Sequence, residues 1–247
     1  GNNNDALYGG SGNDKLYGQN NNDRLYADSG NDLLDGGSGS DYLYFTGSSK
    51  ATVNLGSTKA QNTGYGKDTI KNIEHVSGSK AADKITGSSA ANTLKGNNGN
   101  DVLKGQNGND KLYGGNNNDA LYGGSGNDKL YGNAGTDKLT GNAGKDQFVF
   151  QKTSDSQKGK KADHILDFQV GQDKVNLDAI DANTRIKGNQ DFSFTGTKVA
   201  KNSVWLKQSG DDVIIRGDVN RDLKYDFEIV VENVTLDDLD NSSNFVL

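Results

Sequence analysis

The feature that most constrains the fold is a nine-residue repeat that runs without a break through residues 96–149. Each unit has an aspartate at its sixth position and an apolar residue at its eighth, as in GNNGNDVLK, GQNGNDKLY and GGSGNDKLY. A period of nine fits neither an α-helix nor a simple hairpin meander, because helices repeat every 3.6 residues and strands every two. It fits a solenoid rung in which six residues turn and three form a short strand.

Each three-residue strand of such a rung is expected to bury one side chain. Side chains alternate across a strand, so the middle residue points inward and its neighbours, such as Lys129 and Tyr131, point to solvent. The turn requires positive φ at some positions, which suits Gly126 and, less well, Asn117. The predicted inward column is apolar throughout and consists of Leu103, Leu112, Leu121, Leu130, Leu139 and Phe148.

The same repeat occupies the N-terminal part of the chain. Residues 1–18 recur identically as residues 115–132, which indicates internal duplication. We therefore expect a first array of rungs at 1–44 and a second at 78–149, joined by irregular rungs at 45–77. The inward column of the first array is predicted to be Leu7, Leu16, Leu25, Leu34 and Leu43.

Residues 150–247 lose the nine-residue period. Short apolar runs at 204–206 and 213–215 are separated by turn residues, among them Gly210 and Gly217. The end of a solenoid exposes an unpaired strand edge and an open core, which a cap covers. We therefore predict an all-β chain, with a parallel β-roll in two arrays followed by a C-terminal β cap.

Composition adds a few limits on the class of protein. Only 31% of the 247 residues are hydrophobic, a content that would favour disorder without the strict period. The chain has 33 acidic and 27 basic residues, and its net charge of −6 gives no indication of nucleic-acid binding. It has no cysteine for disulfides or thiolate metal sites, and no apolar run long enough for a membrane span. Gly1 already lies inside a repeat, so we expect a piece of a longer protein.

The turns of the repeat predict calcium binding. Each turn supplies one carboxylate and several backbone carbonyls, which are the hard oxygen ligands that Ca²⁺ prefers, and the pattern G-G-x-G-x-D-x-U-x is typical of calcium-binding parallel β-helices. One leucine per nine residues buries too little surface to offset the entropy of ordering a rung, and stacked aspartates repel one another. We therefore expect Ca²⁺ to drive folding. The predicted ligands of several ions are Asp5, Asp14, Asp23, Asp32, Asp41, Asp83, Asp101, Asp110, Asp119, Asp128, Asp137 and Asp146.

Two rungs at the start of the second array depart from the pattern. Ala81 and Ala90 stand where the turn favours glycine, and Asn92 replaces the acid. Such rungs either stack with an incomplete ion site or are retained only for their inward Ile85 and Leu94. The sequence leaves both interpretations open.

The chain resembles the C-terminal part of RTX (repeat-in-toxin) exoproteins. It is similar to the C-terminal domains of serralysin-type metalloproteases and to the R-modules of secreted mannuronan C-5-epimerases. Besides the repeats, the resemblance rests on a post-repeat motif and on a C-terminus like a type I secretion signal, although Asn244 stands where that signal usually has an acid. The matching runs are Asp163-His164-Ile165-Leu166-Asp167-Phe168, Gly171, Asp173-Lys174-Val175-Asn176-Leu177 and Asn244-Phe245-Val246-Leu247.

The resemblance implies where calcium lies and where the protein folds. Each ion would lie between turns two repeats apart, so that Asp110 would share an ion with Asp128, and Asp101 with Asp119. The chain would leave the cell unfolded through a type I secretion apparatus. Sites with dissociation constants of about 10⁻⁴–10⁻³ M would stay empty in the cytosol and fill outside the cell. We expect a secreted, extracellular monomer.

A loop near the C-terminus predicts a calcium site of another kind. Asp218, Asn220 and Asp222, with Asp226, resemble a D-x-N-x-D calcium loop. Leu223 occupies the position where the sharp turn of such a loop favours glycine. A polar hairpin turn is the alternative interpretation.

Catalytic residues are scarce. The chain contains two histidines, His75 and His164, and no H-E-x-x-H motif, so the zinc chemistry of serralysins cannot reside here. The acidic residues fall on the period of the metal turns. We therefore predict a non-catalytic module.

The outward face of the second array offers a different possibility. Lys111 and Tyr113 are predicted to lie beside Lys129 and Tyr131, and such columns suit an anionic polysaccharide such as alginate, which the resemblance to R-modules suggests. The alternative is that tyrosine favours strands and lysine keeps the face soluble. The leading function is thus a calcium-binding module that supports secretion and stability of an attached exoprotein, and the second is carbohydrate binding.

Overall fold

The computed structural model describes residues 1–247, which form 24 short strands and one four-residue α-helix. The repeats and the segment between them contain β1 (Ala6–Tyr8), β2 (Lys15–Asn20), β3 (Arg24–Tyr26), β4 (Leu33–Ser38), β5 (Tyr42–Tyr44), β6 (Thr52–Asn54), β7 (Gln61–Asn62), β8 (Lys67–Lys71), β9 (His75–Ser77), β10 (Lys84–Thr86), β11 (Thr93–Asn98), β12 (Val102–Asn107), β13 (Lys111–Asn116), β14 (Ala120–Ser125), β15 (Lys129–Ala134), β16 (Lys138–Ala143) and β17 (Gln147–Val149). The C-terminal part contains β18 (Asp163–Ile165), β19 (Lys174–Asn176), β20 (Ser193–Phe194), β21 (Ser203–Ser209), β22 (Asp212–Gly217), β23 (Phe227–Val231), α1 (Leu236–Leu239) and β24 (Phe245–Val246).

Successive rungs alternate between two sides of a parallel β-roll. One side is a ten-stranded sheet in the order β1-β3-β5-β9-β11-β13-β15-β17-β19-β24. The other side contains β6-β10-β12-β14-β16-β18, which continues into the cap strands β23-β22-β21-β20. Regular rungs pair each residue with the residue 18 positions later, as Leu112 with Leu130. The predicted fold class, an all-β parallel roll, is confirmed.

The core follows from the nine-residue pattern. The inward side chains of both sides meet in one cluster, and Leu7 and Leu16 pack partly against it at the first rungs. Gly126 and Asn117 have positive φ, as predicted for the turns. The fully buried residues of the predicted column are Leu25, Leu34, Leu43, Leu103, Leu112, Leu121, Leu130, Leu139 and Phe148.

The two arrays are joined on one side of the roll and divided on the other. Strand β9 pairs with both β5 and β11, so the sheet that begins with β1 runs through the whole roll. At this junction Tyr42 pairs with His75, 33 positions later, instead of with the residue 18 positions later. The extra residues form β6 to β8 on the opposite side, where β2-β4-β8-β7 is a separate sheet. The division of the chain into four ranges stays a prediction.

The cap closes the C-terminal end of both sides. Strand β18 pairs with β16 and β23, while β19 pairs with β17 and β24. Strands β21, β22 and β23 are antiparallel neighbours. Helix α1 begins after Thr235, whose hydroxyl forms a capping box with Asp238. The helical segments lack the length and the apolar character that a membrane-spanning helix needs.

Candidate metal centre

The repeat aspartates form ladders along both edges of the roll, at the start of the strand triplets. From Asp23 onward, one carboxylate oxygen of each regular aspartate accepts a hydrogen bond from a backbone N–H two rungs earlier. The N–H of Asp101 donates to Oδ1 of Asp119 (2.8 Å), and the N–H of Asp119 donates to Oδ1 of Asp137 (2.8 Å). On the opposite edge the N–H of Asp110 donates to Oδ1 of Asp128 (2.7 Å). Each carboxylate therefore ties its turn to the turn 18 residues before it.

The second carboxylate oxygen, Oδ2, is buried and lacks a hydrogen-bond partner at ten positions. Buried polar atoms in proteins nearly always have a partner. Unpartnered acceptors in register along a ladder are therefore candidate ligands for a cation. The ten residues are Asp14, Asp23, Asp41, Asp101, Asp110, Asp119, Asp128, Asp137, Asp146 and Asp163.

A glycine five positions earlier makes room for Oδ2 of each unpartnered aspartate except Asp163, which has Lys158 at that position. A Cβ added to Gly96 would collide with Oδ2 of Asp101 and would lie 2.6 Å from the carbonyl oxygen of Gly114. A Cβ added to Gly114 would meet Oδ2 of Asp119 and the carbonyl of Gly132 in the same way. The bare Cα thus lies against both a carboxylate oxygen and a backbone carbonyl of the turn two rungs later. Both are hard oxygen ligands of the kind Ca²⁺ takes.

The residue four positions before each unpartnered aspartate has a left-handed backbone. Positive φ is favourable for glycine and tolerated best by asparagine among the other residues. No N–H from these residues bonds to Oδ2 of the aspartate. They are Gly10, Gln19, Gly37, Asn97, Gln106, Gly115, Gly124, Asn133, Asn142 and Gly159.

Burial makes the negative charge of these carboxylates unfavourable. Loss of solvation raises the pKa of Asp119 to about 8 and the pKa values of Asp101 and Asp110 to about 7. Neighbouring carboxylates contribute, since Asp137 and Asp101 both raise the pKa of Asp119. A bound cation would restore the charged form, because an opposite charge lowers a carboxyl pKa.

The protein supplies few carboxylates to any one point. No three His, Cys, Asp or Glu side chains come together as a group able to hold a metal. An ion in this roll would therefore take at most two carboxylates and complete its shell with backbone carbonyls. Ca²⁺ accepts such mixed oxygen shells.

Some predicted ligands have other surroundings. Oδ2 of Asp83 accepts the N–H of Ser79 (2.6 Å), so this oxygen already has a partner. Oδ2 of Asp5 lies 3.2 Å from the amine of Gly1. Oδ1 of Asp32 accepts the N–H of Asp14 (2.9 Å), as elsewhere in the ladder.

Four acidic residues outside the regular repeat extend the ladders. Their carboxylates accept the N–H groups of Asp32 (2.8 Å), Asp41 (2.8 Å), Asp137 (2.8 Å) and Asp146 (2.9 Å). Each of the four stands two positions before a buried apolar residue, so the acid-x-apolar triplet could have located them without the nine-residue period. These residues are Asp68, Glu74, Asp163 and Asp173.

The loop at 218–226 is closed by its own hydrogen bonds. Oδ1 of Asp218 accepts the N–H groups of Asn220 (3.0 Å) and Arg221 (2.8 Å), and Oδ2 accepts that of Leu223 (3.1 Å). Asp226 binds the Asn220 amide through Oδ1 (3.0 Å) and accepts a backbone N–H through Oδ2. Asp222 is exposed. Calcium at this loop stays a prediction.

The lysines and tyrosines predicted to face solvent lie in adjacent columns. Lys111 pairs with Lys129 and Tyr113 with Tyr131. The two rings stack on each other, with centroids 4.4 Å apart and planes inclined by 14°. Lys95 lies 5.8 Å from the Tyr113 ring centre. The ring faces that a sugar would need are turned toward each other, so a glycan would meet ring edges, hydroxyls and ammonium groups.

The histidines have structural partners. Nδ1 of His75 accepts the N–H of Thr93 (3.0 Å), and Nε2 lies 2.6 Å from the Ser40 hydroxyl. Burial lowers the pKa of His75. His164 contacts Glu232 at 2.7 Å.

The roll, its buried aspartate ladders and its oxygen-rich turns define a class, the aspartate-rich β-roll typical of calcium-binding RTX modules. A model of the peptidase M10 serralysin C-terminal family matches residues 3–241. The chain belongs to this family.

Comparison with solved structures gives partial similarities. The AlgE6R3 subunit of the Azotobacter vinelandii mannuronan C5-epimerase is 25% identical, with a TM-score of 0.38, over 68% of this chain and 78% of that chain. The AlgE6R2 subunit of the same enzyme is 26% identical, with a TM-score of 0.38, over 66% of this chain and 92% of that chain. The extracellular lipase LipA from Serratia marcescens is 18% identical, with a TM-score of 0.22, over 96% of this chain and 38% of that chain. No curated protein sequence matches.

Proposed function

We propose that this chain is a calcium-binding module that folds in extracellular Ca²⁺ and supports the secretion and stability of an attached exoprotein. The observation that carries the proposal is the set of ten buried, unpartnered carboxylate oxygens in register along the roll. Buried carboxylates without partners are costly, and Ca²⁺ would supply the missing charge and coordination. Ion binding would then contribute directly to folding.

The ligands would come from turns two rungs apart. Asp101 with Asp119, and Asp110 with Asp128, are pairs of this kind, and the carbonyl of Gly114 lies on the same side as Oδ2 of Asp101. The aspartates hold their turns in place through Oδ1 and offer Oδ2. The glycines keep the space between the oxygens free of Cβ atoms.

Calcium dependence explains how such a module would be exported. A chain whose arrays order only with weakly bound Ca²⁺ stays unfolded in the calcium-poor cytosol and folds outside the cell. This behaviour suits passage through a type I secretion apparatus. Serralysin family membership supports an extracellular location.

Catalysis is assigned to another part of the parent protein. The family model describes the C-terminal part of a peptidase. The two histidines of this chain are engaged with Thr93, Ser40 and Glu232. The module would act by folding, stabilising and presenting the attached protein.

A second function is binding of an anionic polysaccharide such as alginate. The observation in its favour is the direct pairing of Lys111 with Lys129 and of Tyr113 with Tyr131 on the sheet that runs through the whole roll. Ammonium groups at strand spacing, about 4.8 Å, could meet successive carboxylates. Because the tyrosine rings stack on each other, most of the attraction for the polysaccharide would come from the lysines.

A calcium titration tests the proposed module. The full chain is treated with a chelator and followed by far-ultraviolet circular dichroism as Ca²⁺ is restored. We expect the β signal to be weak without Ca²⁺ and to return at about 10⁻⁴–10⁻³ M. Mg²⁺ at the same concentration is the control, because it demands a small octahedral shell and retains water. A spectrum that chelation leaves unchanged would contradict the proposal.

A further inference from the structure

Two turns at the start of the second array differ from the regular turns of that array in how their side-chain oxygens are satisfied. The N–H of Ser79 donates to Oδ2 of Asp83 (2.6 Å), and the Ser79 hydroxyl donates to Oδ1 (2.8 Å). In the next turn the N–H of Ser88 donates to Oδ1 of Asn92 (2.7 Å). We call these the capped turns. In the regular turns of the second array the corresponding Oδ2 is unpartnered.

The backbone explains the difference. Ser79 and Ser88 occupy the position four before the ladder residue, where each of the ten unpartnered aspartates is preceded by a residue of positive φ. Neither serine has positive φ. Each serine hydroxyl also accepts the N–H two residues later, from Ala81 (3.0 Å) and Ala90 (3.2 Å), and these bonds hold the turn in its serine-type conformation.

The capped turns offer no vacant acceptor to a cation. The N–H of Ser79 places the positive end of a peptide dipole against Oδ2 of Asp83, the oxygen that regular turns leave free. Asn92 carries no charge, and its Nδ2 donates to the carbonyl of Glu74 (2.8 Å). Fully hydrogen-bonded groups need no ion to compensate their burial.

Apolar side chains are buried in the segment beside the capped turns. Phe45, Val53, Ile70 and Val76 are all buried between the arrays. Phe45 also contacts the ring of Tyr65, with centroids 5.1 Å apart. This burial contributes to the stability of the rungs beside the capped turns, because apolar burial stabilises by about 25 cal/mol per Å².

We propose that the capped turns are closed to calcium, and that within the second array the sign of φ four residues before the ladder residue decides which turns take an ion. The inference rests on the proposed calcium binding of the regular turns. Under this proposal Asp83, which the repeat predicts to be a calcium ligand, binds no ion. Asp83 then serves as a structural acceptor that joins its turn to Ala51, whose N–H donates to Oδ1 (2.7 Å).

A count of bound ions tests the proposal. Native mass spectrometry of the full chain at saturating Ca²⁺ gives the number of ions for the wild type, for Asp83→Asn and for the matched control Asp119→Asn. Both substitutions remove one charge from a ladder position. We expect Asp119→Asn to lose at least one ion and Asp83→Asn to lose none. Equal losses would overturn the proposal.

A second variant covers the case in which Asp83→Asn fails to fold. The triple variant Ser88→Gly/Ala90→Gly/Asn92→Asp gives residues 87–95 the turn pattern of the regular repeat at 123–131. We expect this variant to bind at least one ion more than the wild type, and an unchanged count would overturn the proposal. A wild type without bound Ca²⁺ would instead refute the calcium function itself, so the two failures are distinguishable.

Discussion

The regular turns of the second array and the capped turns at Ser79 and Ser88 share a length, a strand register and a buried ladder residue. They differ in the hydrogen-bond partner of one side-chain oxygen of the ladder residue. In regular turns the second carboxylate oxygen is unpartnered, whereas in capped turns a backbone N–H occupies it. An aspartate at the sixth position is therefore insufficient to define a metal turn. The backbone conformation of the residue four positions earlier decides what its carboxylate faces.

The two sides of the roll also differ from each other. The sheet that begins with β1 passes from one array to the other through β9, while the opposite side of the roll is divided. Glu74 keeps the ladder continuous at this junction, since its carboxylate accepts the N–H of Asp41 (2.8 Å). An insertion can therefore be absorbed on one side of the roll while the other side stays in register.

The largest expected effect comes from substituting the residue four before the aspartate. Gly115→Ala adds a Cβ that collides with the carbonyl of Asn97 at a φ of +117°. We expect it to destabilise the calcium-loaded protein by at least about 2 kcal/mol. Ser79→Ala, at the equivalent position of a capped turn, removes only hydroxyl hydrogen bonds and should cost about 1 kcal/mol. Urea unfolding in saturating Ca²⁺ measures both, and equal losses would remove the distinction between the turns.

A smaller difference is expected between two ladder residues. Asp119→Ala removes a carboxylate that lies between Asp101 and Asp137 in the ladder. Asp83→Ala removes one whose oxygens are already hydrogen-bonded. Both substitutions remove the acceptor of a backbone N–H. We expect only Asp119→Ala to raise the calcium midpoint of folding, by about tenfold, because it also removes a charge from an ion site. A larger shift for Asp83→Ala would contradict this account.

Acidity should act in opposite directions on the metal-free and calcium-loaded arrays. The folded pKa of Asp101 and Asp110 is raised from 3.8 to about 7, so the metal-free folded state binds more protons than the unfolded chain. Its stability should therefore rise as the pH falls from about 7 towards 4. Protons compete with Ca²⁺, so the calcium midpoint should increase from pH 8 to pH 6. Circular dichroism at several pH values checks both trends, and a midpoint independent of pH would contradict them.

The smallest expected effect concerns the outward columns. Calorimetry with short alginate oligomers in Ca²⁺ buffer should show weak binding that falls with salt. Because the rings of Tyr113 and Tyr131 cover each other, Lys111→Ala/Lys129→Ala should reduce binding more than Tyr113→Ala/Tyr131→Ala. Absence of heat from the wild type would end the carbohydrate proposal.

The nine-residue period was sufficient to predict the roll and its core. A fixed spacing places every leucine of a column on one face, so Leu112 and Leu130 had to meet once the rungs stacked. The ladder residues Glu74 and Asp173 lie outside the period, and only the acid-x-apolar triplet marks them. The sequence marks the capped turns as irregular through Ala81, Ala90 and Asn92, but it does not predict the hydrogen bonds of Ser79 and Ser88, because these depend on the φ that each serine adopts within the folded turn. The stacking of Tyr113 on Tyr131 likewise depends on rotamers that a sequence pattern does not fix.

The most direct test of the central claim is hydrogen–deuterium exchange of the full chain, resolved by region, with Ca²⁺ and with a chelator. We expect strands β12 to β16 to be protected with Ca²⁺ and to lose most of this protection on chelation, because their buried carboxylates then lack a counterion. Strands β6 and β10, beside the capped turn of Asp83, should lose less. Protection of β12 to β16 that is the same with and without Ca²⁺ would contradict the claim that calcium orders the arrays.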